Sequence, residues 1–245
     1  MASTSSIVAY GWEAVPSDLK TLLKKHSESS GAAPTYDISS LSPPDTKLAK
    51  AVFEYAQKEL PRETLHHSMR VWYYGIAILT HTFPTWLSPS FLETYYLTTL
   101  LHDIGTAPHN ISSTHLSFEF HGGFLTHSLL SSHSTPTPQT ESVVESIIRH
   151  QDLGSVGKLS RMGAITQLAT IFDNMGENPE LVSKGTIENV VKEWPRLGWS
   201  GCFAATIRRE LELKPWAHTS HLGENAFPEG VEGNELMKPY DQTGL

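Results

Sequence analysis

The chain has 245 residues, 39% of them hydrophobic and 18% charged, with a formal net charge of -8. That length and apolar content fit one domain with a sizeable core and exclude a disordered chain. The acidic balance gives no basic footprint for nucleic acid and no polybasic patch for a membrane surface, and a single cysteine, Cys202, excludes an intramolecular disulfide framework.

Residues 1–44 carry Ser, Gly and Pro clusters that end at Ser42-Pro43-Pro44, and they read as an irregular segment packed on the domain. Met1 to Ser6 shows no positive region followed by an apolar stretch, and no run approaches the roughly 18 apolar residues of a membrane helix. The expectation is a soluble, cytoplasmic protein with no membrane or nucleic-acid partner. A helical domain is expected over 45–213. Asp45 offers an N-cap for a helix with a stripe at Leu48, Ala51, Val52, Tyr55 and Ala56. Leu65, Met69, Trp72, Tyr73, Ile76 and Leu79 repeat the three- and four-residue spacing. Further helices are expected at about 89–104, 115–132, 140–150, 159–175, 186–194 and 201–213, the fourth of them ending at Gly176 as a C-cap. No segment alternates with period two between turn signals, so the class is all-α, a single bundle-like domain with an irregular tail at 214–245. Trp86 and Trp194 are candidates for a homo-oligomer interface.

Five polar residues interrupt these apolar helices: His67, His102 with Asp103, His150 and Asp173. A core helix that finishes on an imidazole and a carboxylate needs something to compensate them, and a metal ion satisfies both. Each residue also has an ordinary reading: His67 as a surface neighbour of His66, His150 as a helix-end histidine, Asp173 as a cap. Helices of a bundle can direct all five to one point, and nitrogen and oxygen donors without thiolate suit zinc, iron, manganese or nickel. Thr170 lies three residues before Asp173, which puts both on one helical face. Cys202 sits in Gly201-Cys202-Phe203-Ala204-Ala205, a helix packing face rather than a nucleophile's setting.

The order H…HD…D resembles the HD-domain superfamily of metal-dependent hydrolases. Gly11-Trp12-Glu13-Ala14-Val15-Pro16, His67-Ser68-Met69-Arg70-Val71, Leu101-His102-Asp103-Ile104-Gly105-Thr106, Ser117-Phe118-Glu119-Phe120, Ile147 to Asp152, Gln167 to Thr170, Phe172-Asp173-Asn174 and Lys214 to Thr219 are similar to the fungal cyanamide hydratases, so the likeness spans nearly the whole chain. It implies an all-α HD fold, one zinc ion (iron or manganese being other options) and hydration of cyanamide to urea. By position it implies that His67, His102, Asp103 and Asp173 hold the metal while His150 and Thr170 face the substrate. Phe118-Glu119-Phe120 lacks the extra histidine that many HD phosphohydrolases use for a second metal, which favours one ion. His121 stands where the hydratases usually have tyrosine, and 177–184 looks unlike the family.

The chemistry suits these residues, because cyanamide is small and neutral with an electrophilic carbon, and His150 is the candidate proton shuttle, since an unperturbed imidazole titrates near pH 6.5. Two enzymatic rivals remain: an HD phosphohydrolase, which would need a cationic cradle from Arg70 and Arg149, and a hydratase or hydrolase of another small nitrile- or amide-like molecule. A degenerate HD module that only binds is the non-enzymatic reading.

Overall fold

The computed structural model describes residues 4–27 and 31–241. The first three and last four residues, which enter the readings of the N-terminal stretch and the tail, lie outside the described residues. The core is two long helices that are buried around most of their circumference. Helix α4 (Arg62–Thr82) has buried residues from Thr64 almost continuously to Leu79, and α9 (Arg161–Met175) is buried from Met162 to Thr170. A helix apolar on every face belongs inside a bundle, and the others close round this pair: α3 (Lys47–Glu59), α5 (Pro89–Leu101), α7 (Phe118–Ser132), α8 (Thr137–Ile148), α10 (Lys184–Glu193) and α11 (Trp199–Leu213). The all-α class therefore holds.

Local chemistry explains most boundaries. Ser88, Ser160 and Ser183 cap α5, α9 and α10 with their hydroxyls, and Gly176, at φ +70°, ends α9 in the left-handed conformation that glycine adopts without strain. Thr46, not Asp45, caps α3. Its hydroxyl accepts from the Ala49 N–H, while Asp45 pairs with Lys50.

The chain ends are more regular than the sequence pattern indicates. Residues 1–44 contain α1 (Thr4–Ala9), α2 (Leu19–Ser27) and a strand β1 (Ala14–Pro16), which pairs antiparallel with β2 (Lys158–Ser160). The two strands have three residues each and lie far apart in sequence, so no alternation could announce them. The tail, expected to be coil, holds α12 (Ala226–Glu232) and short 3₁₀ turns at His218–Leu222 and Lys238–Tyr240. Buried Phe227, Val231 and Met237 pin it down. Helix α6 (Pro108–Ile111) is a single turn in the connection after α5.

Trp86 is corrected as an interface candidate: it is buried and stacked on Phe83 with ring centroids 4.2 Å apart. Trp194 is partly buried and packs edge-on against His66. Two apolar clusters result. The larger one fills the bundle, and the smaller one gathers Phe118, Trp199, Phe203, Ile207, Phe227 and Val231 from α7, α11 and α12. His67, on α4 of the bundle, stacks on Trp199, and His150 meets Phe118 edge-on, so these two polar residues sit where the clusters meet.

One glycine fixes that junction. A Cβ on Gly105 would fall 2.0 Å from the Phe118 carbonyl oxygen, a backbone atom that cannot step aside. Gly105→Ala should therefore cost at least the 1–3 kcal/mol typical of overpacking, about 3 kcal/mol here. Urea denaturation checks this, and an unchanged midpoint would show that the two segments are not held in contact.

Candidate metal centre

His67 comes from the first turns of α4. His102 is the C-cap of α5, with Asp103 leading into a 3₁₀ turn at Ile104–Thr106. The turn holds because Thr106 donates both its N–H (2.9 Å) and its hydroxyl (2.7 Å) to the Asp103 carbonyl. His150 follows the end of α8, and Thr170 and Asp173 lie on α9. All six are buried.

The hydrogen bonds assign the tautomers. His67 Nδ1 lies 2.6 Å from Asp173 Oδ2, His102 Nδ1 lies 2.8 Å from the Thr99 carbonyl, and His150 Nδ1 lies 2.7 Å from the Ile147 carbonyl. Each partner only accepts, so each Nδ1 carries the proton and each neutral ring presents Nε2 as a bare lone pair. These lone pairs converge. His67 Nε2 is 3.1 Å from His102 Nε2, Asp103 Oδ2 is 3.3 Å from His102 Nε2 and 3.7 Å from His67 Nε2, and Asp103 Oδ1 is 3.8 Å from His150 Nε2. Neither Asp103 oxygen has a hydrogen-bond partner among the described residues.

A buried cluster of acceptors with no donor among them needs a cation or a proton. The titration tendencies say the same. Burial pushes the His67 imidazole down to about 4, despite the Asp173 carboxylate at its Nδ1. Burial and the neighbouring His102 also lower His150. At His102 burial acts downward too, but Asp103 reverses it and the imidazole is raised. Burial resists the Asp103 charge, yet His102 and His67 hold that carboxyl well below the usual range.

Among the described residues, His67, His102 and Asp103 are the group whose ligand atoms all lie within 4.8 Å of one another. Ligands about 2.0–2.1 Å from a tetrahedral zinc ion stand about 3.4 Å apart, and the three separations of 3.1, 3.3 and 3.7 Å bracket that value. A buried group of this composition can hold a metal ion.

Asp173 stands behind His67. Besides the His67 Nδ1–H, its carboxylate accepts from Arg70 Nη2 at 2.9 Å, Arg70 Nε at 3.0 Å and Arg196 Nη1 at 2.6 Å. The guanidinium groups outweigh burial and hold its carboxyl far below the usual range. Trp199 stacks on the His67 ring at 4.3 Å and 13°, closing its other face. Thr170 donates to the Gln167 carbonyl at 3.1 Å and, with His150 and Asn174, lines a small chamber beside the cluster.

Two residues that position the site were not found from sequence. Arg196 lies between helices, where Pro195, Leu197 (φ +59°) and Gly198 (φ +75°) turn the chain sharply and face its side chain inward. The Pro-Arg-Leu-Gly run signalled the turn but not its direction. Trp199 carries no signal in the sequence that sets it apart from other aromatics. Among the other candidates, Cys202 is half-buried and burial raises its thiol, which argues against a nucleophile. Arg149 pairs with Asp152 and Glu145, and Arg70 is spent on Asp173, so neither forms a phosphate cradle.

No family model matches the chain. Two curated proteins of Saccharomyces cerevisiae do: "Cyanamide hydratase DDI2" and "Cyanamide hydratase DDI3", each 41% identical over 184 residues that make up 75% of this chain and 81% of the relative. The chain belongs to the cyanamide hydratase family. Family membership and the acceptor cluster are independent lines, one from aligned residues and one from the chemistry of buried atoms. Among the described residues of this family member, no helix is long and apolar enough to cross a membrane.

The ion-pair network yields a contrast. Asp173→Asn leaves two buried guanidinium groups short of a counter-charge and should cost about 3–5 kcal/mol. Arg208→Ala breaks a solvent-exposed pair with Glu232 and should leave the denaturation midpoint almost unmoved. Chemical denaturation of both variants checks this, and equal losses would remove the network's structural role.

Proposed function

We propose that this chain hydrates cyanamide to urea at a single zinc ion, as a cytoplasmic hydro-lyase. The observation that carries the reading is the acceptor-only cluster of His67, His102 and Asp103, found in a chain 41% identical to proteins named cyanamide hydratase. The first three residues serve the ion through atoms that already converge. Asp173, the fourth residue of the order, serves it through His67, where a carboxylate at Nδ1 fixes the tautomer and raises the basicity of Nε2. Nitrogen and oxygen donors without sulfur also suit iron or manganese, and zinc is the choice for a reaction with no redox step. Zinc bound there makes water nucleophilic at neutral pH.

The remaining roles follow from hydrogen-bond inventory. Hydration forms a C–O bond at the nitrile carbon and puts negative charge on the nitrile nitrogen, which takes a proton to give isourea, and tautomerisation then yields urea. His150 keeps Nε2 free because its Nδ1–H is committed to Ile147, so it can take a proton from water and return it to that nitrogen. Thr170 spends its hydroxyl proton on Gln167, which leaves its oxygen to accept from the substrate amine. Asn174 Oδ1 accepts from Trp199 Nε1–H at 2.7 Å, so its amide N–H groups are left to donate into the chamber it lines.

A phosphohydrolase is less well supported, because Arg70 and Arg149 are already paired. The deciding assay supplies cyanamide to protein purified with its metal and measures urea. No urea from metal-loaded protein would sink the reading, and phosphate release from a nucleotide panel would favour the rival. His102→Ala should abolish metal retention, whereas His150→Ala should retain the ion and lose at least about a hundredfold in turnover, the low end for a general acid–base group. Metal analysis and urea formation together check both, and a fully active His150→Ala protein would remove its proton-transfer role.

A further inference from the structure

Two cavities share a wall. The inner one, ≈ 10 Å³, is the chamber of His150, Thr170 and Asn174, with Phe227 of α12 also in its lining. The outer one, ≈ 540 Å³, opens between the start of α2, the 153–155 loop and the segment just after α9 at Glu177 and Asn178. Leu153, Ile171 and Met175 line both. Ile171 and Met175 are four residues apart on α9 and therefore lie on one face, and Leu153 stands in the loop that follows His150. Polar groups flank this apolar partition on either side, with Asp18 and Lys20 outside and the catalytic candidates inside.

The inner chamber has room for about one water molecule. Cyanamide, with three heavy atoms in a row, is larger than that, so the partition must move to admit it. Met175 is the side chain built for movement, being unbranched with three rotatable bonds. Its neighbour on α12 is Gly230, where an added Cβ would fall 2.9 Å from the Met175 methyl, so the glycine leaves space that any other residue would fill.

We propose that Leu153, Ile171 and Met175 form an apolar collar that admits small, neutral, rod-shaped molecules to His150 and Thr170 and turns away bulkier or charged ones. This rests on reading His150 and Thr170 as the substrate-facing residues. The collar selects twice. Bulk is rejected by the small chamber, and an ion is rejected because it would shed its water against three apolar side chains. Cyanamide passes on both counts, while a phosphate ester fails on both.

The test compares the parent with Met175→Ala, using Leu153→Ala as a second opening of the collar should the first not fold. One readout is the ratio of kcat/KM for N,N-dimethylcyanamide to that for cyanamide, which should rise at least tenfold. The other needs neither turnover nor metal. Diethyl pyrocarbonate is too large for the closed collar, so its labelling of His150, followed by peptide mass spectrometry, should speed up at least tenfold in the variants. Labelling of His67, buried behind Trp199, should stay at the parental rate. His150 labelled no faster in folded variants than in the parent overturns the collar. A parent that forms no urea would instead defeat the hydratase reading, and the labelling rates would still decide the collar.

Discussion

Asp173 is held between two buried guanidinium groups, and the position of the candidate metal centre depends on that arrangement. Arg70 reaches it from α4 and Arg196 from the turn before α11, so one carboxylate on α9 ties three parts of the bundle together. The cluster is balanced rather than merely attractive. Arg196 also meets Asp241 at 2.9 Å, and Arg70 also donates to the carbonyls of Trp194 and Pro195. Satisfying every donor matters, because a buried ion pair stabilises only when its remaining hydrogen bonds are made. The carboxylate then has one further task, accepting the Nδ1–H of His67, and this aims Nε2 at His102 and Asp103.

The same device is used three times with different acceptors. A carboxylate fixes His67, and carbonyls one helical turn back fix His102 and His150. Each bond commits the Nδ1 proton and frees Nε2. The result is a set of lone pairs gathered round a carboxylate that has no donor, which is stable only with positive charge in its midst. Local backbone makes the set possible. The helix ends at His102, the 3₁₀ turn begins at Asp103, and Gly105 lets the Phe118 carbonyl approach within contact.

The sequence was most informative where periodicity carries information. The long apolar stripes marked α3, α4, α5 and α7 to α11, with ends displaced by two or three residues because capping hydroxyls and proline, not the stripes, set the boundaries. The residues bearing Nε2 and the Asp103 carboxylate were legible as polar groups that a core helix does not tolerate alone. The rest depends on contacts between distant segments. Strands β1 and β2 exist only as a pair, α12 is held by the burial of Phe227 and Val231, and Arg196 matters only because a left-handed turn faces it towards Asp173. Asp173 illustrates the limit well. Its presence was read from the motif, but its place behind His67 follows from two arginines whose partners no spacing rule names.

Chamber and cluster together make a centre suited to a very small substrate: donors fixed in advance, little free volume, and apolar side chains between the chemistry and solvent. Everything in that account depends on the acceptor cluster having a resident cation. Anomalous diffraction at the zinc edge, from crystals of protein purified without chelator, tests this most directly. The account predicts one peak per chain, about 2.0–2.2 Å from His67 Nε2, His102 Nε2 and an Asp103 oxygen. A peak placed elsewhere, or none in protein that forms urea, would contradict it.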